Sequence, residues 1–362
     1  MKTLRGTALY AGIGNTIEEM REHLDLAASV GINAVFSSLQ LPEADKEELL
    51  RDFPLMAEIA HSHGMLVDAD IAGRSATLFG IDLGDFKAFK KMGVDIARLD
   101  GGYTDEEIVK ASHNDAGVII ELNAVHASDE WLSRLAELGI NKEQIHFCHN
   151  YYPMRYTGLT VDEILQINGT IHRYGFTVGG FIPSNTHKRI GCSIGLPTVE
   201  RHRDMDTHTV IQEAFLFGLD DVFFGDDFAD VSELKLLAEA DSDVVTFRYR
   251  PFVEGEITEW LVGRVMTHTA GWGREEILRS NYVRHSFQGN VDDTFSCLRR
   301  RGDVTVCKST LLRYSGEIEL VRKDLPRDEG MGIIGRIIDE DLPLLDTLKS
   351  DKKFRLVRDK EI

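Results

Sequence analysis

The chain has 362 residues, 43% of them hydrophobic and 28% charged, as expected for a globular protein with a sizeable core and about two domains. Sixty acidic residues against 41 basic ones give a formal net charge of −19. That excess argues against nucleic acid or an anionic membrane as partner, since both demand Lys and Arg, but it leaves room for a small anion held by local cations.

From the N-terminus to about residue 242, short apolar runs alternate with longer helical patterns. The runs are Thr7–Tyr10, Ala34–Leu39, Leu66–Ile71, Ile96–Asp100, Val118–Asn123, Ile145–Asn150, Thr177–Pro183 and Val222–Phe228. Helical periodicity falls on Thr16–Val30, Glu43–His63, Leu83–Met92, Thr104–Ser112, Asp129–Leu138, Val161–Tyr174, Thr207–Phe217 and Val231–Ala240. Such alternation implies parallel strands with right-handed crossovers, and about eight units in this length predict a closed (β/α)8 barrel. An open doubly wound sheet is the alternative; Gly12-Ile13-Gly14 is a poor match to its phosphate turn. Beyond residue 243 the period changes to two, in Val244–Arg250, Asp303–Val306, Glu317–Val321, Ile333–Ile338 and Phe354–Val357, separated by turn signals. This predicts a small β-rich barrel domain over 243–362.

Six consecutive runs of the first region end in polar residues: Asp68-Ala69-Asp70, Arg98-Leu99-Asp100, Glu121-Leu122-Asn123, His149-Asn150, Ser184-Asn185 and Gly225-Asp226-Asp227. In a barrel these ends converge on one face, where active sites of this fold lie. The richest stretch is Cys148 to Leu159, with His149, Asn150, three tyrosines and Arg155 before a helix that Thr160 would cap. Aromatic rings stack on the apolar face of a sugar, and amide, imidazole and hydroxyl groups bond its hydroxyls, so His149, Asn150, Tyr152, Arg155, Tyr156 and Asn123 are candidate substrate contacts. Packing of the loop by its own tyrosines is the simpler alternative. Arg155, Lys188, Arg201 and Arg203 are the candidates for holding a phosphate.

Among the carboxylates, Asp70, Asp100, Glu121, Asp226 and Asp227 are candidates for the pair that glycoside hydrolysis requires. Asp100 can pair with Arg98 on the same face, and so suits binding better than acid catalysis. Glu121 follows an apolar strand, and burial there would raise its pKa toward that of a proton donor. Asp70, two strands away, would be the ionised partner, with Asp226 as the reserve acid. The four cysteines form no CxxC pair and suggest reduced thiols; Cys148 is either a buried structural thiol or a nucleophile. No motif calls for a metal or other cofactor, although two carboxylates can hold Mg²⁺. The sequence opens with no apolar core of signal-peptide type and contains no stretch of roughly 20 apolar residues, so a cytoplasmic location is expected.

His149-Asn150-Tyr151-Tyr152-Pro153 and Tyr156-Thr157-Gly158-Leu159 resemble the HN(F/Y)YP…YTGL signature of the 6-phospho-N-acetylmuramidases. Leu196-Pro197-Thr198-Val199-Glu200-Arg201-His202-Arg203 is similar to that family's LPT(L/V)E.HR motif. Asp220-Asp221-Val222 with Gly225-Asp226 resembles its eighth-strand end, and Lys323 to Glu329 with Gly335-Arg336-Ile337 its C-terminal signature. The resemblance spans essentially the whole chain in the right order. It implies a TIM barrel with a C-terminal cyclophilin-like domain, cytoplasmic, cleaving N-acetylmuramic acid 6-phosphate from N-acetylglucosamine in peptidoglycan recycling. The competing functions are a non-catalytic phosphosugar-binding protein in the same cleft, and a lyase or isomerase using Lys188 as a Schiff base. Oligomeric state stays open.

Overall fold

The computed structural model describes residues 3–99, 101–269, 275–280 and 283–360. The chain forms two compact units, Met1–Ala240 and Asp241–Ile362.

In the first unit, β1 (Arg5–Ala8), β2 (Ala34–Ser38), β3 (Leu66–Ile71), β4 (Ile96–Leu99), β5 (Ile119–Asn123), β6 (Ile145–Cys148), β7 (Val178–Ile182) and β8 (Asp221–Asp227) close into a parallel barrel in sequence order. β8 pairs back onto β1, with an irregularity between Gly6 and Ala8. Around it lie α1 (Ile17–Val30), α2 (Lys46–Ser62), α3 (Gly73–Phe79), α4 (Phe86–Met92), α5 (Asp105–Ala111), α6 (Asp129–Glu137), α7 (Val161–Arg173), α8 (Thr207–Leu216) and α9 (Val231–Glu239). The closed barrel, not the open sheet, is the architecture of this unit.

Strand alternation sends residues of one parity inward. Ala8, Phe36, Ile96, Phe181 and Phe223 fill the lumen, while residues such as Val35, Val67 and Ile120 pack under the helices. The lumen is tight: a Cβ on Gly6 would sit 1.9 Å from the Phe223 ring, so only glycine fits there. Several helices start at the caps the sequence offers, while α2 and α4 start three residues after the forecast Glu43 and Leu83. Thr16, Thr104 and Thr160 form capping boxes with Glu19, Glu107 and Glu163, and Asp206 caps α8 through the Thr209 N–H. Among the described α-helices of this unit, α3, a seven-residue segment directly after β3, has no sequence forecast.

The second unit is a seven-stranded mixed sheet in the order β10-β15-β9-β14-β12-β13-β11. Its strands are β9 (Val244–Pro251), β10 (Met266–Thr267), β11 (Ile277–Ser280), β12 (Asp303–Cys307), β13 (Ile318–Val321), β14 (Met331–Ile337) and β15 (Lys353–Arg358). Only β15 and β9 run parallel; the other pairs are antiparallel. Phe247, Tyr249, Leu278, Val304, Leu320, Phe354 and Leu356 are buried in it.

Candidate active site

Four barrel strands carry charged residues in one register: Asp70 lies beside Arg98, Arg98 beside Glu121, and Glu121 beside His146. Arg98 Nη1 donates to Glu121 Oε1 at 3.0 Å, and His146 Nδ1 is 2.9 Å from Glu121 Oε2. His146 Nε2 lies 2.9 Å from Asp221 Oδ2, an ion-pair contact whose angle falls short of a hydrogen bond. Asp221 Oδ1 in turn accepts the Leu4 N–H. All four side chains are buried. Burial alone would pull the His146 pKa down, but Asp221 and Glu121 raise it to about 10.

This chain corrects the expectation for Glu121. Burial does push its carboxyl up, as the apolar strand suggested, but His146 and Arg98 outweigh burial and hold it below the ordinary value. A fully buried carboxylate paired with both Arg98 and His146 is poorly placed to protonate a leaving group, against the expectation for Glu121. Asp68, one inward position before Asp70, takes the shift instead. It is buried, neither carboxyl oxygen finds a hydrogen bond among the described residues, and burial with the nearby Glu121 raises its pKa well above normal.

Above this layer is the mouth. Asp70 is half-buried and accepts from Ser38 Oγ at 2.8 Å and the Leu39 N–H at 2.7 Å. Donors to a carboxylate favour its charged form. Arg98 also donates to Asn150 Oδ1 and to the His149 carbonyl at 3.2 Å, and Asn123 Nδ2 reaches Asn150 Oδ1 at 3.3 Å. Asn123 and Asn150 thus stand together at the rim. Tyr10 and Tyr151 line the lumen side with Phe36 and Phe181. The Arg189 guanidinium lies over both tyrosine rings, 5.0 Å from Tyr10 and 5.7 Å from Tyr151, and Nη1 donates to the Tyr151 hydroxyl at 3.2 Å. Its Nη2 meets Glu43 Oε1 at 3.3 Å.

The two sequence motifs meet beside this mouth. Tyr152 N–H donates to the Pro197 carbonyl, Leu159 N–H to Thr198, and Glu200 N–H back to Leu159. Glu200 accepts the N–H groups of Tyr156 and Gly158 at 2.8 Å each, and Arg203 grips the same carboxylate. A Cβ on Gly158 would lie 2.8 Å from Glu200, so the glycine is required for that clamp. Thr198 Oγ1 then bonds the Asn150 carbonyl at 2.9 Å, which ties the clamp to the rim.

Other expected site residues lie elsewhere. His149 points out of the barrel: it is buried, with Nε2 2.7 Å from Asn168 on α7, and burial lowers its pKa to about 4. Arg201 is matched two-pronged to Glu213 and stacked on Phe217, which removes it from phosphate binding. Tyr156 is 88% exposed, and its backbone N–H is held by Glu200. Asp226 is fully buried and accepts three backbone N–H groups, from Ser184, Arg189 and Leu196, so it anchors the β7–α8 loop. Burial raises its pKa, as an acid needs, yet it sits out of reach. Cys148 is buried and its thiol is pushed far up by burial, the state of a structural cysteine. Lys188 lies in the β7–α8 loop against the Ser184 carbonyl, not at a strand end. Tyr152 is half-buried at the rim. Asp100 lies outside the described residues.

Arg155, Lys188 and Arg203 do come together, with Asn185 and Ser193, around a cleft of about 380 Å³; Asp204 and Asp206 share it, and Arg155 is paired with Asp204. Among the described residues no group of three His, Cys, Asp or Glu is arranged to hold a metal ion, and no helix is long and apolar enough to cross a membrane.

Arg98, His146, Asp68, Tyr151 and Arg189 were missed as site residues. Alternation inward from Cys148 and Asn150 also puts His146 in the lumen, so that one was readable. Arg189 reaches the mouth through an irregular loop and left no periodic signal.

Comparison with known proteins agrees with this layout. A crystal structure of an uncharacterised B. cereus protein superposes with a TM-score of 0.86 at 25% identity, over 99% of this chain and 100% of that one. A conserved Enterococcus faecalis protein of unknown function matches in fold at 0.70 and 24% identity, over 99% and 97%. No curated protein matches the chain. The family model for the N-terminal part of 6-phospho-N-acetylmuramidase matches residues 5–239, and that for the C-terminal part residues 271–357. A closed barrel with a charged, half-open mouth, followed by a β-rich unit, is what those two matched regions cover, and the chain belongs to the 6-phospho-N-acetylmuramidase family.

Proposed function

We propose that this protein is a cytoplasmic glycoside hydrolase that cleaves 6-phospho-N-acetylmuramic acid from N-acetylglucosamine during peptidoglycan recycling, at the mouth of the barrel. By the same family relation its second unit is read as cyclophilin-like. The observation that carries the proposal is Asp70, a half-buried carboxylate that accepts two hydrogen bonds at the face where this fold does its chemistry. An ionised carboxylate there serves as nucleophile or as the base for water. The layer of Arg98, Glu121, His146 and Asp221 below supports it by fixing Arg98 and, through Arg98, Asn150. The phosphate is assigned to the cleft lined by Arg155, Lys188 and Arg203, where Arg155 pairs with Asp204 and Arg203 with Glu200, and Lys188 is in no ion pair among the described residues. Loops after the seventh strand are the usual phosphate site in this architecture. The proton donor is another carboxyl group at the mouth, since Glu121 is committed to ion pairs.

A non-catalytic phosphosugar-binding protein is the second proposal. It is favoured by the burial of Glu121 and Asp226, which leaves fewer carboxyl groups within reach of a sugar. Product analysis with the phosphorylated and unphosphorylated disaccharides separates the two. The hydrolase releases both sugars from the phosphorylated one with kcat/KM at least about thirtyfold higher, the loss expected when one partner of a charged pair is removed. Equal rates on both would refute the phosphate assignment, and retention without cleavage would establish the binding protein.

A further inference from the structure

We propose that the leaving half of the substrate, a neutral N-acetylhexosamine, binds in a separate cavity between the β4–α5 and β5–α6 loops, with Trp131 and Tyr103 as its aromatic walls. The inference rests on the hydrolase proposal above and adds the direction in which the substrate lies.

The cavity measures about 530 Å³, inside the range of roughly 300–1,000 Å³ typical of small-molecule sites. Leu99 and Leu122, at the ends of β4 and β5, give it an apolar base, and Asn123 is shared between its lining and the rim of the barrel. Asn123 is held from both sides: its Oδ1 accepts the Val125 N–H at 3.1 Å, and its Nδ2 donates to Asn150. The proposed path of the ligand from the mouth into this cavity runs across Asn123.

The walls are preset. Trp131 is half-buried, its Nε1 donates to Asp105 Oδ1 at 2.9 Å, and its ring stands edge-on to Phe147 at 6.2 Å. Arg134 binds the other oxygen of Asp105 at 2.5 Å, which locks α6 to α5. The Tyr103 hydroxyl is buried and makes no hydrogen bond among the described residues. A buried hydroxyl without a partner is costly unless a ligand supplies one. Flat aromatic walls with scattered hydroxyl and amide groups are the recognition surface of a pyranose.

Charge sets the direction. In this cavity Asp105 and Arg134 neutralise each other and Glu130 remains, so a phosphate is repelled while an uncharged sugar is not. The cleft of Arg155, Lys188 and Arg203 differs in that Lys188 stays outside any ion pair among the described residues and so offers a cation. The substrate thus spans the mouth with its phosphate toward the β7–α8 loop and its neutral sugar toward β4 and β5.

The test compares kcat/KM for the phosphorylated disaccharide with that for the methyl glycoside of the same phosphosugar, whose leaving group is too small to fill the cavity. Two variants are measured, Trp131→Phe and His126→Trp; His126 is an exposed lining residue, so a larger ring there obstructs the cavity. Both should lower the ratio of the two kcat/KM values at least tenfold. In parallel, N-acetylglucosamine is titrated into the wild type while tryptophan fluorescence is followed, and a saturable change absent from Trp131→Phe is expected. Hydrolysis with unchanged ratios and no saturable change would overturn the cavity assignment. A saturable change lost in Trp131→Phe, in a protein that cleaves neither substrate, would uphold the cavity and refute the hydrolase.

Discussion

Replacing Glu121 with Gln tests the charged layer under the mouth. The carboxylate is fully buried and sits between Arg98 at 3.0 Å and His146 at 2.9 Å, so it compensates two cations at once. An amide has one acceptor, and its NH₂ group must face one of the two donors. Arg98 then keeps the His149 carbonyl and the Asn150 side chain as partners. Removing one member of a buried ion pair costs about 3–5 kcal/mol. In a unit of this size that lowers Tm by roughly 6–20 °C, at about 2–4 °C per kcal/mol. Differential scanning calorimetry at pH 7 measures it. Activity is measured on the natural disaccharide and on a nitrophenyl glycoside, whose leaving group needs no protonation. A positioning residue loses activity on both substrates to the same extent. A Glu121→Gln protein with unchanged Tm, and a loss of a hundredfold or more confined to the disaccharide, would refute the argument and restore Glu121 as the acid.

Two further outcomes follow from the same geometry. The His146 pKa is raised from 6.5 to about 10, so its pairing adds stability that is fully present below pH 6.5 and is lost as pH rises toward 10. The span corresponds to roughly 4–5 kcal/mol, and urea unfolding from pH 6 to 10 should show a decline that His146→Gln abolishes; a flat wild-type profile would contradict the ion pair. Glu200 is held down to about 2, chiefly by Arg203, and gathers the N–H groups of Tyr156 and Gly158. Glu200→Ala should raise KM and speed proteolysis within 151–159, whereas unchanged values for both would show that the clamp does not order the rim.

The barrel could be read because its signals are local. Alternation within each run and a cap such as Thr160 each need only a few neighbouring residues. The choice of strand-end residues was also readable, but not what each one does. Glu121 looked like a buried acid, since the sequence places no cation beside it; Arg98 and His146 arrive 23 positions before and 25 after, through strand register. Asp226 looked exposed at a strand end until the β7–α8 loop folded three N–H groups onto it. His149 reads as a substrate contact because its stretch is polar and rich in hydrogen-bonding groups, although parity with Phe147 sends it outward toward Asn168. The link between the two family motifs is likewise tertiary: Glu200 serves Tyr156 and Gly158 across more than 40 residues.

The central claim is that Asp70 carries the charged half of a glycoside hydrolysis. The direct measurement is release of N-acetylglucosamine from the 6-phospho-N-acetylmuramyl disaccharide by Asp70→Asn, beside the wild type and with folding confirmed by an unchanged circular dichroism spectrum. Asparagine preserves one acceptor for Ser38 and Leu39 but removes the charge. The account predicts a loss of kcat of at least a hundredfold, with substrate still bound. Release at a rate within a few-fold of the wild type would contradict it and reduce Asp70 to an anchor for the β2 end.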